Sequence, residues 1–125
     1  MKPGPPQAMT EWQEHEPIYI QLAQLVLDQI IRGALAEGEA APSVRQVASQ
    51  ERINPLTVSR AYQTLVDDGL LEKRRGVGMF VAEGARDRAI NNERQRFLDE
   101  LWPQIEERIQ LLGLSTDELL QGGTA

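Results

Sequence analysis

Six cations, Arg45, Arg52, Arg60, Lys73, Arg74 and Arg75, fall between residues 43 and 82, where only Glu51, Asp67, Asp68 and Glu72 oppose them. Guanidinium and ammonium groups at this density suit phosphate contact, and a guanidinium also carries the paired donors that match guanine O6 and N7. Small hydroxyl and amide side chains, Ser43, Asn54, Thr57 and Ser59, stand among them. Such groups exchange hydrogen bonds with base edges or with phosphate oxygens. Gly76 and Gly78 follow the last cations and, lacking a Cβ, let the backbone come close to a partner. This chemistry is polyanion recognition.

Catalysis has no comparable set. The chain has no cysteine, which excludes disulfides and thiolate metal sites; its single histidine, His15, cannot by itself anchor a metal site or a triad, and no nucleophile, base and orienting group occur together. His15 reads as a solvated or structural residue. We expect no enzyme activity, no cofactor and no metal.

The net charge of −6 opposes nucleic-acid binding until it is divided along the chain. Residues 43–82 carry +2, whereas residues 1–42 and 83–125 each carry −4. A local basic surface is what phosphate contact requires, and acidic flanks weaken non-specific attraction without abolishing a specific mode. With 125 residues, 41% of them hydrophobic and 26% charged, the chain suits one ordinary globular domain plus a modest appendage. No apolar run approaches the roughly 20 residues that span a bilayer, so no membrane partner is expected. The Pro/Gly-rich start, Met1 to Ala8, lacks the apolar stretch of a signal peptide, which fits a cytoplasmic protein.

The elements that must carry the cations follow from periodicity and cap signals. Residues 1–16, punctuated by Pro3, Pro5 and Pro6, read as a flexible segment. A helix is predicted from Pro17, placed in its first turn, with Ile18, Leu22, Leu25, Val26 and Ile30 at helical spacing and Gly33 or the loop to Gly38 as its end. Ser43 and Gln46 form a capping-box pattern that opens a short helix burying Val44, Val47 and Ala48. Asn54-Pro55 opens another, burying Val58, Ala61, Tyr62, Leu65 and Val66, turning Thr57, Ser59, Arg60, Gln63 and Thr64 outward, and closing at Asp68-Gly69. Two short helices across a tight turn match a helix-turn-helix, whose second helix enters the major groove. Leu70–Glu72 and Met79–Ala82 read as strands joined by a basic, glycine-bent tip, Lys73 to Gly78, in other words a wing.

From about Arg86 to Leu112 a helix is predicted, kinked by Pro103, and Ser115 with Glu118 caps a last short one. Its apolar stripe exceeds what the head can cover, so Ile90, Phe97, Leu101, Trp102, Ile105 and Ile109 are expected to pair with a second copy of the chain. The competing arrangement folds the tail back on its own head. About 40 residues cannot enclose a metabolite pocket of about 300 Å³ within one subunit. A cleft between two tails would hold a small effector of unknown identity, and Trp102 and Arg108 are candidates to line it.

The fold expected is mainly α with a small β-hairpin: a flexible segment (1–16), a winged helix-turn-helix domain (17–83) and a helical dimerisation or effector tail (84–125). The string Pro42-Ser43-Val44-Arg45, then Asn54-Pro55-Leu56-Thr57-Val58-Ser59-Arg60-Ala61-Tyr62, Asp68-Gly69-Leu70 and Arg75-Gly76-Val77-Gly78-Met79-Phe80-Val81 resembles the GntR family of bacterial transcription regulators, specifically its YtrA-type subfamily. Pro17-Ile18-Tyr19-Ile20-Gln21-Leu22 resembles the start of that family's first helix. The resemblance implies a winged helix that binds DNA, homodimerisation through the C-terminal helices, and repression of operons that often encode ABC transporters. It places the DNA-contacting arginine at Arg45, the recognition-helix positions at Asn54, Thr57, Ser59 and Arg60, and the minor-groove glycine at Gly78. The chain departs from the family pattern at Ala41, where leucine is usual, at Met79, where threonine is usual, and at Leu56, where many relatives are polar.

The function expected is a sequence-specific regulator, a repressor of a small operon, that binds a near-palindromic duplex operator as a homodimer. Its candidate DNA-binding set is Ser43, Arg45, Asn54, Thr57, Ser59, Arg60, Lys73, Arg74, Arg75, Gly76 and Gly78. The other class left open is a winged-helix protein-interaction module whose basic wing meets an acidic partner. Such a module has no need of Arg45, Arg60 and the wing cations converging on one face.

Overall fold

The computed structural model describes residues 10–122. These residues form two compact units, 10–90 and 91–122.

In the first unit, α1 (Ile18–Arg32) starts one residue after Pro17, which stands at the N-cap with extended backbone rather than inside the first turn. Gly33 ends it in the left-handed conformation and returns its N–H to the Ile30 carbonyl. The helix buries Leu22, Ala23, Val26, Leu27 and Ile30, while Leu25 is only half-buried. α2 (Val44–Glu51) begins at Ser43, whose Oγ accepts the Gln46 N–H at 3.0 Å. α3 (Pro55–Asp67) begins at Asn54, whose Oδ1 accepts the Leu56 N–H at 2.8 Å, with Pro55 at the first helical position. Val47 and Ala48 of α2 and Val58, Ala61, Tyr62 and Leu65 of α3 join the core, whereas Val44 and Val66, expected inside, stay half-buried at its edge.

The wing is an antiparallel pair, β1 (Leu71–Arg74) and β2 (Gly78–Val81), in the register Leu71 to Val81 and Arg74 to Gly78. Leu70 is not in the ladder, because its N–H closes the end of α3 on the Leu65 carbonyl while its carbonyl takes the Ala82 N–H. Residues 39–41, not anticipated as a strand, run along the other edge of β2: Ala41 N–H donates to Met79 O and Val81 N–H to Glu39 O. This ties the wing to the start of α2.

Residues 10–16, expected to be loose, are held on the domain instead. Thr10 N–H donates to Glu51 Oε1 at 3.0 Å, Gln21 exchanges hydrogen bonds with Gln13, and Trp12 packs on the core. Glu51 is 4% exposed, and its Oε2 has no hydrogen-bond partner among the described residues. The rest of that segment, residues 1–9, lies outside the described residues.

The head also extends beyond residue 83. α4 (Ala85–Arg96) places Ala85 and Ala89 in the core with no exposure at all. Glu37, from the loop after α1, caps it: Oε1 accepts the Gly84 N–H at 2.7 Å and Oε2 the Arg86 N–H at 3.4 Å, setting a carboxylate against the positive helix end. Arg88 donates to the carbonyls of Gly69 and Glu83 at 2.6–3.1 Å, and Arg86 Nε to the Ile31 carbonyl at 2.8 Å.

In the second unit the expected continuous helix is interrupted. Residues Phe97–Leu101 form a π turn, in which Trp102 N–H reaches back to the Phe97 carbonyl, and α5 (Trp102–Leu111) follows. Pro103 accounts for the change of register: it has no N–H for the Asp99 carbonyl, and its ring would collide with that carbonyl in an unbroken α-helix. α6 (Thr116–Leu120) begins at Ser115, whose Oγ accepts the Glu118 N–H. No helix among the described residues is long and apolar enough to cross a membrane.

Candidate nucleic-acid interface

Successive helical residues are about 100° apart, so the core side of α3, marked by Val58, Ala61, Tyr62 and Leu65, fixes its outer side. Leu56, Arg60 and Gln63 lie along the middle of that outer stripe, with Ser59 beside it; all four are exposed. Thr57 sits at the flank and is half-buried. Tyr62, wholly buried, holds this helix in register with α2, because its hydroxyl donates to the Pro42 carbonyl at 2.6 Å. Burial pushes that hydroxyl far above the usual phenol range, so it stays a donor.

Between this stripe and the wing lies an open groove of about 520 Å³, lined by Ser43, Ser59, Gln63, Lys73, Gly76 and Gly78 among others. Strand alternation places Lys73 and Met79 on the same side of the hairpin as Leu71 and Val81, toward the helices. Arg74 goes to the opposite side. Its guanidinium lies 4.0 Å from the Phe80 ring centre and pairs with Glu72 at 3.1 Å. Lys73, Arg74 and Arg75 therefore differ in what holds them: Lys73 and Arg74 both border the groove, Arg74 with its guanidinium engaged by the hairpin's own side chains, and Arg75 stands exposed at the tip without a partner among the described residues. Gly76 and Gly78 have φ of 76° and 138°, where a side chain is strained, although a Cβ there would meet nothing. Backbone conformation, not crowding within the chain, is what requires glycine at this tip.

Arg45 lies outside the groove. It borders a shallow depression with Ser49, Ile53 and Pro55, is exposed, and has no ion pair among the described residues. Arg60 does have a partner: its guanidinium lies 3.9 Å above the Tyr19 ring of α1. Ser43 and Asn54 have their side-chain oxygens committed to helix N–H groups, leaving the Ser43 hydroxyl proton and the Asn54 amide hydrogens as donors.

Sequence reasoning left Gln63, Val77, Leu56 and Tyr19 out of the candidate set. The spacing of Leu56, Arg60 and Gln63 by four and three residues already marks one helical stripe and could have brought in two of them. Tyr19 had no such signal, since it meets Arg60 only through the packing of α1 on α3. Of the dimerisation candidates, Phe97 and Leu101 are 45% and 47% exposed, Ile90, Trp102 and Ile105 are half-buried, and Ile109 is buried. Phe97 stacks on Trp102 with ring centres 6.4 Å apart.

Residues 18–81 match the family model described as bacterial regulatory proteins, gntR family. The chain is 33% identical over 112 residues to the uncharacterized HTH-type transcriptional regulator YhcF of Bacillus subtilis, covering 90% of this chain and 91% of that protein. It is 33% identical over 85 residues to the HTH-type transcriptional repressor YtrA of Bacillus subtilis, covering 68% of this chain and 65% of that one. Among solved structures, the AraR DNA-binding domain in complex with operator ORX1 superposes with a TM-score of 0.53 at 27% identity, over 58% of this chain and 89% of that one.

Proposed function

This chain belongs to the GntR family of bacterial regulatory proteins and, within it, to the YtrA type, and on that premise we propose that it represses a small operon by binding a near-palindromic operator as a homodimer. It is a DNA-binding transcription regulator and not an enzyme. The observation that carries the finer reading is the shared groove: the outer side of α3, the capped start of α2 and the concave side of the wing border one open surface. In that arrangement α3 lies in the major groove, Ser59 and Arg60 reach base edges, and Asn54 and Thr57 are near them. Arg45 and Lys73 take phosphates or a guanine edge, while Arg75, Gly76 and Gly78 lie along the adjacent minor groove. Arg74 contributes after its pairing with Glu72 is exchanged for a phosphate.

Exposed apolar side chains in the tail support homodimerisation, since Phe97, Leu98 and Leu101 are each at least 45% exposed. Two heads related by such a tail would read two half-sites, and this favours a near-palindrome. Transporter genes are the proposed target, by analogy with the YtrA type. A small effector in the cleft between paired tails, and a cytoplasmic location, belong to the same proposal.

The test is a mobility-shift titration of the full chain on the DNA upstream of its own gene, at 50 and 200 mM salt. Six or so phosphate contacts per dimer predict a loss of about 10³-fold in affinity over that range. Weak binding of equal strength to that fragment and to unrelated duplexes at both salts would reject a sequence-specific operator. Gel filtration at micromolar concentration tests the dimer.

A further inference from the structure

We propose that Leu56 is a specificity-determining residue that reads the 5-methyl group of a thymine in each operator half-site. The inference rests on the DNA-reading function proposed above and adds to it one base identity.

Leu56 is 75% exposed, at the second position of α3 and in the middle of its outer stripe, one turn before Arg60. Its backbone N–H is already taken by Asn54 Oδ1, so the residue offers a partner only hydrocarbon. Apart from Val77 at the wing tip, 71% exposed, no other large apolar side chain among the described residues of the first unit is so exposed. Arg60 and Gln63, polar side chains, share its stripe, so the leucine is an isolated apolar point in a polar reading surface.

The major-groove edges of the four bases differ in what they can give such a point. Adenine, guanine and cytosine present amino groups, N7 or O6, and a leucine pressed on them removes water from donors and acceptors without replacing their hydrogen bonds. Thymine alone presents a methyl group, which gains by losing water to an apolar neighbour. The N-terminal end of a recognition helix is the part that comes nearest to base edges, which is where Leu56 stands. Exposure on this scale, at this position, therefore selects thymine.

The experiment selects a bound duplex from a random library with the full chain, then replaces each thymine of that duplex singly by deoxyuridine, removing only the methyl. Wild type is expected to lose about fourfold in affinity, the effect of one buried methyl-sized group, at one thymine in each half-site. Leu56→Ala, which leaves the core intact, should bind that duplex more weakly and show no penalty at that thymine, and Leu56→Met should keep it. Uniform tolerance of deoxyuridine by wild type, or a penalty that survives in Leu56→Ala, would overturn the assignment of Leu56 while leaving operator binding intact. Failure to enrich any duplex would instead overturn the DNA-reading function on which it rests.

Discussion

The two units of this chain treat their apolar residues differently. In the first, Leu22, Val58, Ala61, Tyr62, Ala85 and Ala89 have no exposure at all. In the second, Leu98, Leu111, Leu112 and Leu120 are 55–86% exposed, and among its described residues Ile109 is the one large apolar side chain that is buried. A head that buries its own core keeps its outer polar side chains in place before any partner arrives. A tail with this much exposed hydrocarbon has its stability tied to what covers it. Under the proposed function, recognition and assembly fall to regions of opposite character.

The largest effect that can break this contrast is a core truncation in the head. Leu65→Ala, at a residue 2% exposed, should cost about 2–5 kcal/mol in urea unfolding, and a loss below about 1 kcal/mol would mean the head is not self-sufficient. The tail should respond in the opposite sense. Leu101→Asp is expected to raise the dimer dissociation constant in sedimentation by a factor equivalent to about 2 kcal/mol or more while leaving the head's unfolding midpoint unmoved. An unchanged association state would remove Leu101 from the interface.

Smaller effects sharpen the division between holding the fold and meeting DNA. Arg45→Ala should weaken operator binding by about 1–3 kcal/mol with no change in melting temperature, because that guanidinium has no partner in the fold; equal binding would retire it as a contact. Tyr62→Phe removes the 2.6 Å bond to the Pro42 carbonyl and should cost about 0.5–1.5 kcal/mol of stability. If that bond also holds the groove together, operator affinity falls with it; stability loss at full affinity would confine Tyr62 to the core.

Sequence alone determined the elements and their punctuation. Ser43, Asn54 and Ser115 open helices, and Gly33 and Gly69 end them, because a cap is made between residues no more than about four apart and its partners are therefore adjacent in the text. The core faces of α1 and α3 were equally legible, since a helical period converts spacing into a side. The tail was less so: Pro103 announced a disturbance, and its form, a π turn over Phe97–Leu101, depended on how the backbone re-paired its carbonyls.

Only the tertiary structure decided what each cation does. Arg60 stacks on Tyr19, Arg74 on Phe80, and Arg88 clamps Gly69 and Glu83, whereas Arg45 and Arg75 keep no partner among the described residues. Nothing local separates these arginines, because a long flexible side chain takes its partner from whatever the fold brings near it. Glu37 capping a helix that begins 48 residues later, and residues 39–41 adding to the wing, have the same origin. Short-range hydrogen bonding wrote the elements into the sequence; contacts between distant segments assigned the charges their work.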